Sequence, residues 1–299
     1  MKKVITLSMA FLIAFCTILP AMGCEETYRE CHDECYTCTE NDADNVDITT
    51  TEDVIVEDGI TMNSKMDSDV NSDLKSVILQ MSATLENSDT QLQYNYAENI
   101  GDGRGITFGC IGFCTGTYDG NILIKHYTEL NPNNNLAKYI PALDRIDAGS
   151  HDAADGDGNP SVAGLDGFIR DIESCDDPLF KQAQMDKLDE LYYNPAMELA
   201  DNIGAKNALT RAFIYDMCVR HGVDDAENMI SAAGTTPMQG ADENTYLQNL
   251  ISIRDGELEQ EGLGDTDRTE GYKNVLVSGN VDLVTPFNFI AYGDTFVIQ

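Results

Sequence analysis

The sequence predicts a mainly helical α+β fold that contains one small β-sheet. Apolar residues recur at three- and four-residue steps in five segments after residue 66, and this is the period of an amphipathic helix. One segment between them, residues 105–120 (GITFGCIGFCTGTYDG), is instead rich in glycine, threonine, β-branched and aromatic residues. That composition is typical of short strands joined by turns.

The first 23 residues, MKKVITLSMAFLIAFCTILPAMG, combine two lysines, an apolar run and small residues at the end. This pattern is typical of a signal peptide, so we expect cleavage after Gly23 and a secreted, extracellular protein. Lipidation of Cys24 is the alternative, although Ala21 stands where a lipoprotein signal usually has leucine. No later stretch is apolar and long enough to span a bilayer, so no membrane association is expected unless Cys24 is lipidated.

Residues 24–64 read as a cysteine-rich acidic leader followed by a flexible linker. Residues 24–38, CEETYRECHDECYTC, hold four of the eight cysteines that remain after cleavage. In an exported protein we expect two disulfides, with three alternative pairings. A zinc site that includes His32 is the alternative, but the spacing matches no known zinc module. The acidic, threonine-rich run that follows has little periodicity, as expected of a linker.

The first amphipathic segment begins near Asp67 and is expected to end around Glu86. In residues 136–146, LAKYIPALDRI, Pro141 is expected to kink the helix. Pro178 opens a third helix from its first turn, and Gly222 is expected to end a fourth. The remaining predicted helix covers residues 244–260, NTYLQNLISIRDGELEQ.

The charge of the chain is strongly negative and excludes one class of partner. Asp and Glu number 52 against 18 Lys and Arg, a formal net charge of −34, which becomes −36 when the two lysines of the signal peptide are removed. Nucleic acid is therefore not expected as a partner, because binding phosphates requires positive charge. Two explanations stay open: a solvated acidic surface, or electrostatic steering of a polycationic substrate.

Residues 100–109, IGDGRGITFG, place four glycines around one acid and one base. No Lys-Ser/Thr pair follows, so the segment is not a phosphate-binding P-loop, and it lacks the strand and helix of a dinucleotide site. Residues 151–167 resemble a calcium loop, but Pro160 and Asp166 occupy positions where an EF-hand has Gly and Glu. We expect an acidic surface loop there, and no metal or cofactor. Cys110 and Cys114 are expected to be buried or disulfide-bonded.

A pair of carboxylates is the remaining candidate for chemistry. Glu86 ends the first strong helix, and Asp102 lies in the glycine-rich turn before the sheet. A helix end and a sheet edge can place two acids across a cleft, as an inverting glycosidase requires. Among 52 acidic residues, the pattern alone does not single out this pair.

The segment LENS…QYNYAENIGDGRGITFGCIGFCTGTYD resembles the catalytic segment of the chitosanases of glycoside hydrolase family 46. The likeness continues in order through LAKYIPAL, FKQAQMDKLDELYYNPAM, IYDMCVRHG, TPMQGADENTYL and GNVDLVTPFNFIAYGDTFVI, and covers about residues 70–299. It implies a lysozyme-like, two-lobed helical fold whose small antiparallel sheet lines the cleft, with residues 65–299 as the catalytic domain. It also implies an endo-acting, inverting hydrolase of β-1,4 linkages between glucosamine units of chitosan, acting as a monomer without a cofactor.

The resemblance assigns roles to three residues at the reaction itself. Glu86 would be the general acid and Asp102 the general base, while Thr107 would help hold the attacking water. Apolar Leu85 beside Glu86 could supply the desolvation that favours a protonated acid. Gly101, Gly103 and Gly105 would let the chain present Asp102 while sugar passes close by.

The resemblance also assigns binding and supporting residues. Four would contact glucosamine units: Arg104, Asp119, Tyr96 and His221. For His221, a plain role at the helix end is the alternative. Three others, Asp216, Arg254 and Arg268, would form a charge network that keeps Asp102 ionised and oriented. An acid expected near residues 257–268 falls at Gly264, with Glu259, Glu261 and Asp265 as alternatives.

Two other functions stay open. One is a lysozyme-like hydrolase of another polysaccharide, such as peptidoglycan. The other is a non-catalytic sugar-binding relative, against which the joint presence of Glu86, Asp102 and Thr107 argues. The strong acidity and Asp119 favour a polyamine over peptidoglycan.

Overall fold

The computed structural model describes residues 58–151, 158–261 and 267–299. The predicted signal peptide, the cysteine-rich leader and most of the linker lie outside these residues, as do Asp155, Asp157, Gly264 and Asp265. Within the described ranges, no helix is both long enough and apolar enough to cross a membrane.

Ten α-helices make up most of the described chain. They are α1 (Asp58–Asn87), α2 (Asp119–Leu130), α3 (Ile140–Asp147), α4 (Phe168–Glu173), α5 (Pro178–Leu188), α6 (Asn194–Asn202), α7 (Ala208–His221), α8 (Val223–Ala232), α9 (Glu243–Glu261) and α10 (Asp267–Ser278). Two 3-10 turns, Asn135–Tyr139 and Pro237–Gln239, and one π-helical turn, Asp189–Tyr193, complete the helical part.

A small antiparallel sheet has the order β1 (Ala97–Glu98), β2 (Thr107–Phe108) and β3 (Phe113–Cys114). Thr107 of β2 pairs with Cys114 of β3, and Ala97 of β1 pairs with Phe108. The predicted fold, mainly helical with a small antiparallel sheet, is confirmed. The end of the segment predicted as strands begins a helix instead, because α2 starts at Asp119.

A second, two-stranded sheet was not predicted. Strands β4 (Phe287–Ala291) and β5 (Asp294–Ile298) form a hairpin near the C-terminus. Phe289 and Ile298 are fully buried, and Phe289 packs so closely on α10 that a Cβ added at Gly271 would lie 2.6 Å from its ring. The alternation of apolar residues in this segment is the sequence signal for strands. Whether the segment forms a hairpin is decided by its packing on α10.

Helix α1 carries Glu86 into the site. It begins at Asp58, earlier than the predicted Asp67, and ends at Asn87. Ile78, Met81 and Leu85 are buried at the expected three- and four-residue steps. Ser88 then adopts a positive φ of 52°, which stops the helix directly after Glu86 and Asn87.

Pro141 does not kink a helix, contrary to the prediction. The 3-10 turn Asn135–Tyr139 comes first, and α3 begins at Ile140 with Pro141 in its first turn. Proline is tolerated there because its missing N–H would have had no partner within the helix. The other two boundary predictions are confirmed: α5 begins at Pro178, and Gly222, with a φ of 83°, follows the end of α7.

The glycine-rich loop between β1 and β2 needs its glycines. Gly101, Gly103 and Gly105 have φ values of 77°, 92° and 80°, which residues other than glycine rarely adopt. A Cβ at Gly105 would lie 2.4 Å from Thr115 Oγ1. The backbone of Gly116 donates a hydrogen bond to the Arg104 carbonyl (3.0 Å), so this loop is fastened to the chain that follows the sheet.

Candidate active site

A groove lies between the end of α1 and the three-stranded sheet. Its walls include Glu86, Tyr96, Arg104, Thr107, Gly112 and Arg220. The groove therefore contains the predicted general acid, the threonine predicted to hold water, and two of the predicted sugar contacts. Among the other lining residues, Arg220 and Ile111 were not named from the sequence.

The two oxygens of Glu86 have different surroundings. Oε1 accepts a hydrogen bond from Arg268 Nη2. Oε2 faces the sheet, since a Cβ added at Gly112 would lie 3.6 Å from it and 3.3 Å from Thr107 Cγ2. Gly112 has a φ of 76°, so glycine is favoured there for its backbone and for the space it leaves. One oxygen is thus anchored, and the other lies beside the sheet that forms the opposite wall.

Asp216, Arg254 and Arg268 form a charge network, as the resemblance implied. Arg254 Nη1 donates to Asp216 Oδ2 (2.6 Å), and Arg268 Nη2 donates to Asp216 Oδ1 (2.7 Å). The side chains of Asp216 and Arg254 are 0% exposed, and that of Arg268 is 4% exposed. Burial raises the pKa of Asp216, but the two guanidinium groups lower it further, to about 2. Asp216 is therefore a buried anion that holds both arginines.

The network contacts Glu86, whereas the sequence led us to expect that it acts on Asp102. Arg268 donates to both oxygens of Asp216 and also to Glu86 Oε1. The contact arises because α10 carries Arg268 to the end of α1. The network as observed orients the predicted acid, and this corrects the predicted target.

Asp102 is held by its own loop. Its Oδ1 accepts from the Arg104 backbone N–H (3.1 Å), and its Oδ2 accepts from Arg104 Nε (2.8 Å) and Nη2 (2.7 Å). Both side chains are partly exposed. Burial lowers the pKa of Arg104, but Cys114, Asp102 and Glu86 raise it by more. Arg104, predicted to grip a sugar, thus contacts Asp102 and lines the groove.

Thr107 is fixed by a neighbour that the sequence analysis did not assign to the site. The Cys114 thiol donates to the Gly112 carbonyl (3.3 Å), and Cys114 Sγ lies 3.4 Å from Thr107 Oγ1. Burial raises the pKa of Cys114 to about 12, so the sulfur keeps its single hydrogen. When the thiol hydrogen is directed to the Gly112 carbonyl, the Thr107 hydroxyl is the donor in its contact with sulfur. Its oxygen then has lone pairs free to accept a hydrogen bond from water.

Asp119 lies at the first residue of α2 and accepts hydrogen bonds from several donors. Its Oδ1 accepts from Thr117 Oγ1 (2.7 Å) and from the backbone N–H groups of Cys114 and Gly120. Its Oδ2 accepts from the Tyr192 hydroxyl (2.9 Å). Burial raises the pKa of Asp119, while these donors act to lower it. Tyr192 was missed from the sequence, because its π-helical turn is 73 residues away.

Tyr96 and His221 differ in their relation to the groove. Tyr96 lines it and donates to Glu98 Oε2 (3.1 Å); burial, with Glu98, raises the Tyr96 pKa to about 12. His221 ends α7, where its Nε2 accepts from Arg254 Nε (3.3 Å). Burial and the charges of Arg254 and Arg220 lower the pKa of His221 to about 3. At neutral pH His221 is therefore an uncharged neighbour of the network.

Neither a metal nor a disulfide is observed in the described residues. No group of three or more His, Cys, Asp or Glu in those ranges could hold a metal ion. Asn159, from the calcium-like segment, instead donates to the Ile146 carbonyl (2.9 Å) and binds Gly116 through its backbone. Four cysteines are described, and all are free thiols: Cys110, Cys114, Cys175 and Cys218. Cys110 and Cys114 are buried, which is one of the two states predicted for them; the other was a disulfide.

Comparison with known proteins identifies relatives over most of the chain. The family profile described as Glycosyl hydrolase family 46 matches residues 80–287. A chitosanase of Streptomyces sp. (strain N174) is 37% identical over 238 residues, which are 75% of this chain and 82% of that protein. A chitosanase of Bacillus subtilis (strain 168) is 36% identical over 249 residues, 77% of this chain and 87% of the relative.

Solved structures agree with this result. A family 46 chitosanase from Gynuella sunshinyii, in complex with chitotetraose, matches with a TM-score of 0.69 and 32% identity, covering 76% of this chain and 97% of that one. A mutant chitosanase from Bacillus subtilis MY002, complexed with 6 GlcN, matches with a TM-score of 0.69 and 30% identity over 77% and 99% of the two chains. Since the family profile spans more than half of the sequence, this chain belongs to glycosyl hydrolase family 46.

Proposed function

We propose that this protein is an endo-acting hydrolase of chitosan that cleaves β-1,4 linkages between glucosamine units. Membership of family 46 supports a glycosidase, and the relatives named above are chitosanases. Two of the solved neighbours hold chitotetraose or GlcN units. The mature charge of −36 suits a polycationic substrate, which an acidic surface attracts.

Glu86 acts as the general acid in this proposal. Arg268 holds Oε1, so the side chain is fixed in orientation while Oε2 faces the groove. Oε2 is then the atom that carries the proton to the leaving glycosidic oxygen. The fixed orientation matters because an acid contributes only when its proton lies within hydrogen-bond reach of that oxygen.

Asp102 acts as the general base, and Thr107 helps to hold the attacking water. Arg104 donates hydrogen bonds to both oxygens of Asp102, which fixes the orientation of the carboxyl group. Water donates one hydrogen to Asp102 and the other to Thr107, whose own hydrogen is directed to Cys114. Attack from this side while Glu86 protonates the leaving group is a single displacement that inverts the anomeric carbon.

A single observation carries the proposal. In a family 46 chain, Glu86 from α1 and the pair Thr107 and Arg104 from the sheet side line one groove. Arg104 in turn holds Asp102. An acid on one wall faces a water-binding hydroxyl and the arginine that holds the base on the other, and single displacement needs an acid and a base on opposite sides of the bond.

Purified mature protein and its Glu86→Gln variant should be incubated with chitosan and, separately, with peptidoglycan. We expect glucosamine oligomers from chitosan with the wild type and a loss of activity of about 10²- to 10⁴-fold in the variant. Clearing of peptidoglycan would favour the alternative hydrolase. Failure on both substrates, with tight oligomer binding, would favour a sugar-binding relative.

Proton NMR of the earliest products tests the stereochemistry. A single displacement at a β-linkage releases the α-anomer first, before mutarotation mixes the anomers. Early β-anomer would contradict inversion and would require a covalent intermediate. The same preparation can test steering, since salt should raise the Michaelis constant for chitosan if the acidic surface attracts it.

Secretion as a monomer belongs to the same proposal. Support comes from the signal-like pattern of residues 1–23. Expression in a bacterial secretion host, followed by N-terminal sequencing of the culture supernatant, should show a chain that starts at Cys24. An acylated chain in the membrane fraction would instead identify Cys24 as a lipid anchor, and light scattering would report the oligomeric state.

A further inference from the structure

Tyr118 has a strained backbone that packing of its side chain does not explain. Its φ is 71° and its ψ is −41°, and the Asp119 N–H donates to the Thr117 carbonyl (2.9 Å) across it. This is a γ-turn with positive φ, which is rare and unfavourable for an L-residue. The residue is 49% exposed, so burial does not compensate the strain. An observed outlier of this kind is grounds for a functional hypothesis.

His151 supports one face of the Tyr118 ring. The two rings stack with centroids 4.3 Å apart and planes 18° apart, and Tyr118 Oη lies 3.1 Å from His151 Nδ1. Nδ1 also lies 3.2 Å from the Gly149 carbonyl. The position of the His151 ring is therefore fixed by the backbone that directly follows α3. About half of the Tyr118 surface is exposed to solvent, where a ligand can reach it.

Backbone hydrogen bonds join the chain beside the stacked pair to the loop of the candidate active site. Tyr118 directly precedes Asp119, and the Gly116 N–H binds the carbonyl of Arg104 in the loop that carries Asp102. Asn159 joins the same region, since its backbone N–H donates to Gly116 (2.9 Å) and a Cβ at Gly149 would lie 2.6 Å from its Nδ2. A chain bound at Arg104 and Asp119 can therefore continue over Tyr118.

We propose that Tyr118 and His151 form a stacking platform for one glucosamine ring, next to the unit bound at Asp119. This inference rests on the proposed function. The axial C–H groups of a β-linked sugar present an apolar face that can lie flat on an aromatic ring. A protonated 2-amino group adds attraction, because cations are drawn to the face of tyrosine. The γ-turn is what turns the ring outward while Asp119 remains bonded to its donors.

The binding of a glucosamine hexamer, measured by calorimetry in the Glu86→Gln background, tests the platform without turnover. Tyr118→Ala should weaken binding by roughly 3- to 10-fold, and Tyr118→Phe should restore most of the loss because it keeps the ring. His151→Ala should have a smaller effect in the same direction. Val277→Ala, on the exposed face of α10, is the surface control and should bind like its parent.

Tyr118→Gly separates binding from folding. Glycine accepts the positive φ, so this variant should melt at a higher temperature than Tyr118→Ala, yet bind the hexamer equally weakly. Parental affinity in Tyr118→Ala, or a phenylalanine variant as weak as alanine, would overturn the platform. If the wild type cleaves chitosan while hexamer binding is insensitive to Tyr118, the platform alone fails. If the Glu86→Gln parent does not bind the hexamer and the wild type does not cleave chitosan, both proposals fail.

Discussion

The two candidate catalytic carboxylates are held in contrasting ways. Glu86 is anchored by Arg268, which belongs to a buried network that joins α7, α9 and α10 to the end of α1. Asp102 is held by Arg104, two residues away in the same glycine-rich loop, where both side chains are partly exposed. The acid therefore depends on the packing of the helices, and the base on local loop geometry. Damage to the first support should cost stability, and damage to the second should cost activity.

The largest expected effect comes from removing the centre of the buried network. Asp216→Ala leaves Arg254 and Arg268 buried without their shared anion, which typically costs about 3–5 kcal/mol. For a domain of this size we expect the melting temperature to fall by roughly 10 °C. Thermal unfolding followed by circular dichroism measures this. A variant that melts like the wild type would show that the network does not stabilise the helices.

Arg104→Gln tests the loop side of the comparison. It removes the charged partner of Asp102 but no fully buried group, so we expect kcat on chitosan to fall by about 10-fold or more. The melting temperature should change little, since an ion pair that stays partly exposed to water contributes only about 1 kcal/mol. Arg145→Gln is a matched control for the same substitution. Arg145 lies on an exposed part of α3, where its side chain donates to the Pro141 carbonyl. A large loss of stability in Arg104→Gln would remove the distinction between the two supports.

Cys114→Ala should have a smaller effect on activity. It removes the acceptor for the Thr107 hydroxyl, which can then rotate and no longer presents its lone pairs to water. We expect kcat to fall by about 3- to 10-fold with little change in KM, from the loss of one hydrogen bond. In the double variant with Thr107→Val, the alanine should cause no further loss. Additive losses would show that Cys114 acts by another route.

The smallest effect concerns pH and the edge of the buried network. The pKa of His221 is lowered to about 3 in the folded protein, from an ordinary value near 6.5. Between these two pH values, His221 is protonated in the unfolded chain but not in the folded protein. The contribution of neutral His221 to the free energy of unfolding is therefore present above about pH 6.5 and is lost as pH falls toward 3. Urea unfolding at pH 7 and pH 4.5 should show a smaller acid-induced loss in His221→Gln than in the wild type. Equal losses would contradict the buried, neutral state.

Much of the fold could be predicted because its signals are local. Hydrophobic periodicity identified the helices that became α1, α5, α7 and α9, and the proline and glycine at Pro178 and Gly222 marked two boundaries. The hairpin of β4 and β5 was missed, and Pro141 was misread. Short strands and single prolines take their structure from what packs around them, which a one-dimensional pattern does not contain.

For the site, the sequence by itself determined the residue types and the loop that carries them. Glycines at 101, 103 and 105 permit the positive φ that the loop adopts, and the motif around Glu86 and Asp102 indicated family 46. Only the tertiary structure decided which carboxylate the charge network contacts. Arg268 lies 182 positions from Glu86, and an ion pair at that separation exists only after helices have packed, because side-chain charges interact strongly only over a few ångströms.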